Sequence, residues 1–231
     1  MKLKFGVVVF PGSNCDHDSY HVLKHILDQE TVYLWHKDTD LQNCDVIILP
    51  GGFSYGDYIR TGAVAKLSPI MNLVIDFANK GGIVFGICNG FQILTESGLL
   101  PGTLIKNKNL KFICKDIYIT AVNENSLLTK SLEKKTLMTP IAHGEGNYFT
   151  DEETLKSLEQ NNQILFRYSS SKAEISDEYN PNGSIKNIAG IMNKSGNVFG
   201  MMPHPERSSD GLLGKTDGMQ IFNSLLKNFI K

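Results

Sequence analysis

Along the first hundred residues, short unbroken apolar runs alternate with segments in which apolar positions recur at helical spacing. Residues 4–10 form such a run, rich in Val, as expected of a strand buried on both faces of a parallel sheet. Pro11-Gly12-Ser13-Asn14 breaks it, and Val22, Leu23, Ile26 and Leu27 then mark one face of a helix over 21–27. Residues 32–35 and 45–49 read as a second and a third strand, the latter stopped by Pro50-Gly51-Gly52. A helix around 71–79 and a strand over 83–85 continue the alternation. This pattern predicts an α/β fold, a single-domain, doubly wound, mostly parallel sheet with flanking helices. Ligands of such sheets bind beyond the carboxyl ends of the strands. Pro11-Gly12, Pro50-Gly51-Gly52 and Cys88 all fall at those ends, so three loops should meet over one pocket.

After Leu100-Pro101-Gly102 the texture changes. Residues 111–122 and 163–169 read as shorter strands, and the polar segments 123–135 and 150–161 between them as surface. Residues 187–193 and 198–202 form a C-terminal β-hairpin across Lys194-Ser195-Gly196-Asn197, with Gly196 supplying the positive φ of the turn. Met219, Ile221, Phe222, Leu225, Leu226 and Phe229 line one face of a closing helix. There is no repeat, low-complexity tract or linker, and one domain over 1–231 is the economical organisation.

Composition narrows the partners. The 231 residues are 41% hydrophobic and 20% charged, an ordinary globular balance. A net charge of -1 gives no general attraction to nucleic acid or to an anionic membrane, which leaves a small molecule or another protein. Cys15, Cys44, Cys88 and Cys114 lie far apart with no C-x-x-C pair, so neither a disulfide framework nor a zinc site is expected, and a reducing cytoplasm fits. The apolar run near the N-terminus is too short for a signal-peptide core or a membrane span.

The chemistry centres on Gly86-Ile87-Cys88-Asn89-Gly90, between the apolar run 83–85 and a helical pattern at Phe91, Ile93 and Leu94. A strand that ends in Gly-x-nucleophile-x-Gly and turns at once into a helix is a nucleophile elbow. The helix N-terminus favours a thiolate on Cys88; the alternative is a buried structural Cys. A base and a group to orient it are offered by Pro203-His204-Pro205-Glu206. With Pro on both sides, His204 is expected in an extended segment in which the side chains of His204 and Glu206 point the same way. Asn89 N–H is one candidate oxyanion donor, and Gly51-Gly52-Phe53 could supply the second, although turn formation alone would also explain these glycines. Gln92, one turn after Cys88, could read a polar substrate or be merely solvated. His143, in His143-Gly144-Glu145-Gly146, sits in a substrate-facing loop or a simple turn. Gly214-Lys215-Thr216 lacks the preceding Gly of a phosphate loop, and Cys15, Asp16, His17 and Asp18 lack a metal-ligand spacing, which leaves helix capping as their role.

Residues 86–92 together with 203–206 resemble the Cys-His-Glu triad motifs of class I (triad-type) glutamine amidotransferases, which have a flavodoxin-like fold. Longer stretches at 10–16, 49–63, 140–148, 180–184 and 197–207 are similar to the branch of glutaminase subunits that serves purine biosynthesis. The resemblance implies Cys88, His204 and Glu206 as the catalytic residues. It implies glutamine as substrate, with Gly51, Gly52, Phe53, Asn89, Gln92 and His143 around it. It further implies no metal or cofactor in this chain, a partner synthetase subunit that uses ATP and Mg, and a small bridging subunit. A stand-alone Cys hydrolase and a noncatalytic glutamine-sensing module are the competing readings.

Overall fold

In the computed structural model, which describes residues 2–229, the Val-rich run is strand β1 (Lys4–Val9), with Phe5, Val7 and Val8 fully buried. β2 (Glu30–Trp35), β3 (Val46–Leu49) and β4 (Ile83–Ile87) complete the alternation. They stand in the order β2-β1-β3-β4, and every one of these neighbouring pairs is parallel. Every residue of β3 and β4 is buried, as the continuous apolar runs require of strands covered on both faces. The crossovers carry α1 (Asp16–His21), α2 (Pro69–Asn79) and α3 (Asn89–Glu96). The expected helix over 21–27 is shifted: α1 starts at Asp16 and runs on as a π-turn over Val22–Ile26. Cys15 is its N-cap, and Asp16 and Asp18 lie in the first turn, where carboxylates complement the helix dipole.

After Leu100 the architecture becomes antiparallel. β5 (Thr103–Ile105), β6 (Ile113–Ala121), β7 (Thr136–His143), β8 (Asn147–Phe149), α4 (Glu152–Gln160), β9 (Ile164–Ser169) and β10 (Ile188–Met192) follow in turn. Four of these strands stand in the order β10-β9-β6-β7, with antiparallel pairing throughout, and β5 pairs with β8 separately. Gly196 takes φ 71 in the turn after β10. The chain then forms β11 (Val198–Met201), neighbour to β4, and closes with α5 (Met219–Asn228). Residue contacts divide the chain into two compact units, Met1–Leu100 with Asn197–Gly200 and Pro101–Gly196 with Met201–Lys231.

Four elements were hidden in the sequence: the short strands β5 and β8, the helix α4 and the strand β7. The segment expected as surface at 150–161 contains α4, capped by Asp151, whose carboxylate accepts from Thr154 N–H at 2.7 Å. β7 alternates buried and half-buried residues but contains Pro140, which an edge strand tolerates because one side of its backbone needs no ladder partner.

Candidate active site

In the first unit, Cys88 directly follows β4 and caps α3 with φ 51 and ψ -104. A non-glycine residue held at positive φ costs about 1–3 kcal/mol and persists only where its surroundings over-determine it. Those surroundings are close. A Cβ on Gly90 would lie 1.9 Å from Leu49 O, and one on Gly86 would lie 2.6 Å from the carbonyl of Gly90. The glycines therefore let the first turn of α3 rest on the end of β3, and the thiol is presented at a helix N-terminus. The N–H groups of a helix's first turn have no intrahelical acceptor. Gln92 N–H donates to Cys88 O at 3.1 Å, so the donors nearest the thiol belong to Asn89 and Gly90. All four cysteines are free, and burial pushes the Cys44 thiol up to about 11, which keeps it protonated.

The three loops at the strand ends are laced together, as the sequence predicts. Ser13 bridges Gly52, Cys15 N–H donates to Gly51 O at 3.3 Å, and Tyr55 N–H donates to Pro11 O. Gly52 has φ 137, and a Cβ there would meet Asn14 N at 2.7 Å, so only glycine allows this approach. Phe53 departs from expectation. Its N–H donates to Gly12 O at 3.1 Å, which removes it as an oxyanion donor, and its ring is 45% exposed. Asn89 and Gln92 are buried, so Gln92 is not a solvated helix residue. The Asn89 side chain accepts from Ser54 N–H at 3.3 Å and donates through Nδ2 to Gln92 Oε1 at 2.9 Å. This chain fixes the start of α3 to the loop after β3; Ser54 lay within the 49–63 stretch without an assigned role.

In the second unit, His204 and Glu206 are buried, and His204 Nδ1 lies 2.6 Å from Glu206 Oε1. The expected pair forms, but not in an extended segment. Pro205–Ser208 is a 3-10 turn in which Arg207 N–H donates to His204 O at 3.2 Å. Proline suits the first position of a helical turn because its φ is already set and its missing N–H would have no acceptor there. His204 itself, at φ -104 and ψ 85, obeys the restriction on a residue before proline. Its N–H donates to Pro140 O at 2.9 Å, which anchors the turn to β7. A buried carboxylate on Nδ1 holds the imidazole with Nε2 as the basic nitrogen.

His143 is neither in a loop nor in a simple turn. It is the last residue of β7, buried, with Nδ1 3.0 Å from Asn107 Oδ1 and Nε2 3.5 Å from Asn182 Nδ2. Asn182 Nδ2 also donates to Gly146 O at 2.7 Å and to Tyr168 Oη at 3.2 Å. Burial, and next the neighbouring His204, push the His143 pKa down to about 4. With both ring nitrogens engaged, His143 holds 143–146 and 180–184 together, and the substrate contact expected of it is replaced by a structural one. Asn107 was missed by sequence reasoning because 106–109 reads as an unremarkable polar run; Asn182 lay within the 180–184 stretch without an assigned role.

Residues 2–224 match the family described as the CobB/CobQ-like glutamine amidotransferase domain. The chain is 54% identical over 229 residues to the phosphoribosylformylglycinamidine synthase subunit PurQ of Salinibacter ruber, covering 99% of this chain and 97% of that one. It is 57% identical to the subunit of the same name from Synechocystis, covering 95% of this chain and 99% of that one. Among solved structures it is similar to a chain of PurLQS from Thermotoga maritima, with TM-score 0.86 and 44% identity over 98% of this chain and 99% of that one.

Proposed function

We propose, because this chain belongs to the CobB/CobQ-like glutamine amidotransferase family, that it is the glutaminase subunit of phosphoribosylformylglycinamidine synthase. In this reading it hydrolyses glutamine to glutamate and ammonia. The ammonia passes to a partner synthetase subunit, which uses ATP and Mg to convert formylglycinamide ribonucleotide to the formylglycinamidine in de novo purine biosynthesis, with a small bridging subunit joining the two. Supporting it are relatives of that name matched over nearly their whole length, and a similar solved structure titled as PurLQS. A cytoplasmic location follows from this role, and no helix among the described residues is long and apolar enough to cross a membrane.

The observation that carries the chemistry is the strained Cys88 at the head of α3. Cys88 Sγ, deprotonated by His204, attacks the side-chain amide carbon of glutamine. Glu206 keeps Nε2 of His204 as the proton acceptor and stabilises the imidazolium that forms. Asn89 N–H and the Gly51-Gly52 loop hold the tetrahedral oxyanion. His204 returns the proton to the departing nitrogen, releasing ammonia and leaving a γ-glutamyl thioester, and water then attacks the thioester to give glutamate and the free thiol. Gln92, tied to Asn89, keeps the first turn of α3 in register with this site.

The test is glutamate production by the purified chain, alone and with the synthetase, the small subunit, ATP and formylglycinamide ribonucleotide. Stimulation by the complete mixture is expected. Cys88→Ala should abolish glutamine-dependent synthesis and leave ammonia-dependent synthesis by the assembled complex intact. Equal turnover with and without partners would instead identify an independent Cys hydrolase.

A further inference from the structure

The turn that carries Glu206 is the root of a second structure. Gly218 N–H donates to Ser208 O at 2.7 Å, and Ser209 Oγ donates to Pro205 O at 2.7 Å, which closes the segment 209–217 into a loop standing directly on the His204–Glu206 turn. Within it, Gly211–Leu213 forms a 3-10 turn capped by Asp210, whose side chain accepts from Leu212 N–H at 2.9 Å. Asp210 and Lys215 form an antiparallel bridge across the loop. Two further ties hold its returning limb: Lys215 Nζ lies 2.5 Å from Asp116 Oδ2 in β6, and Met138 N–H in β7 donates to Asp217 Oδ2 at 2.8 Å. The loop is thus braced at its root and along that limb. At its tip are two leucines, Leu212 at 94% and Leu213 at 67% exposure.

A floppy loop with an exposed leucine would need no explanation. A loop held by a cap, a cross-bridge, an ion pair and a backbone anchor, all to present two adjacent leucines to water, is costly unless something covers them. Adjacent apolar side chains on a pre-ordered tip are suited to a pocket on another protein, because little conformational entropy is lost on seating. Resting on the function proposed above, the occupant is the ammonia-consuming synthetase subunit. The loop is rooted in the turn that orients the catalytic base, so load on its tip is transmitted to the one element whose alignment should answer to the consumer of ammonia.

We propose that Leu212 and Leu213 form a docking knob that seats in an apolar pocket of the synthetase subunit, and that its seating fixes the His204–Glu206 turn. Binding then supplies both attachment and stimulation, and the isolated chain hydrolyses glutamine at its basal rate without it.

The test is the double variant Leu212→Asp with Leu213→Asp in the full chain. Binding to the purified synthetase and to the small subunit is measured separately, alongside glutamine hydrolysis with and without the complete mixture. Both positions are at the surface, so folding and basal hydrolysis are expected to match wild type. Affinity for the synthetase is expected to fall by roughly ten- to a thousandfold, the range that follows from losing one or two buried leucines, and stimulation is expected to disappear at wild-type working concentrations. Lys215→Ala, which loosens the brace and keeps both leucines, should give a smaller loss of the same kind. Unchanged affinity and stimulation in the double variant would overturn the knob. Loss of binding to the small subunit alone would overturn the choice of occupant. A wild-type chain that the partners do not stimulate would overturn the amidotransferase reading itself, which separates that failure from failure of the knob.

Discussion

Gly90→Ala is the sharpest test of the elbow, because one methyl group there meets backbone on the opposite side. The added Cβ would sit 1.9 Å from Leu49 O and 2.6 Å from Leu49 C. Real Cβ contacts essentially never fall under 3.0 Å, so α3 and the end of β3 must separate by at least about 1 Å, and neither can yield by a side-chain rotation. Overpacking of a core contact costs about 1–3 kcal/mol, and a backbone clash belongs at the upper end. For a chain of this length that corresponds to a drop in Tm of roughly 6–12 °C. The kinetic effect should be larger. Cys88 is the residue that joins the displaced α3 to β4, and a displacement of about 1 Å at a reacting group costs on the order of a hundredfold in rate. The assay is thermal unfolding together with kcat/KM for glutamine in the presence of the partner subunits. Gly98→Ala is the control: nothing lies within 4 Å of its added Cβ, but its φ of 73 makes an alanine strained by about 1–2 kcal/mol. That variant should lose stability and keep activity. If Gly90→Ala keeps activity as Gly98→Ala does, the argument that this close approach positions the nucleophile is wrong.

Two further outcomes concern the second unit. The His143 pKa is depressed to about 4 from 6.5, so the unfolded chain binds a proton there that the folded chain does not. Its contribution to stability is complete above about pH 6.5, is lost as pH falls toward 4, and reaches roughly 3 kcal/mol over that window. Urea unfolding at a series of pH values should show this slope in wild type and a flatter one in His143→Gln. Asn182→Ala removes the donor that serves Gly146 O and Tyr168 Oη, and should destabilise by about 2–3 kcal/mol, read in the same urea titration.

What was legible in the sequence was whatever depends on local pattern. The parallel strands announced themselves as continuous apolar runs because both of their faces are covered, and the elbow as two glycines around a thiol because only glycine allows α3 so close to β3 and β4. α4 was hidden because its apolar side is narrow, with only Leu155 and Leu158 buried, although Asp151 and the acidic first turn were a readable start signal. β7 was hidden by Pro140, since a sequence does not say which strand will lie at an edge. The residues of the base were visible and their backbone was not: Pro205 restricts His204 and equally suits the first position of a turn. The roles of Phe53 and His143 turned on acceptors and donors distant in the chain, Gly12 for one and Asn107 and Asn182 for the other. No spacing rule reports such partners.

The return of residues 197–200 to the first unit sets an order of events during synthesis. Asn197 Nδ2 donates to Ala78 O and Gly82 O, Val84 N–H donates to Asn197 O, and Gly200 fits against Phe91 so closely that a Cβ would lie 2.1 Å from its ring. When the ribosome has made Leu100, these partners do not yet exist. At translation rates of about 5–20 residues per second they emerge roughly 5–20 s later. Until then the edge of β4 and the packing face of α3 are uncovered, on the element that carries the nucleophile. A fragment ended at Leu100 is therefore an unfinished fold, and the reactive cysteine gains its final setting only after most of the second unit has been made.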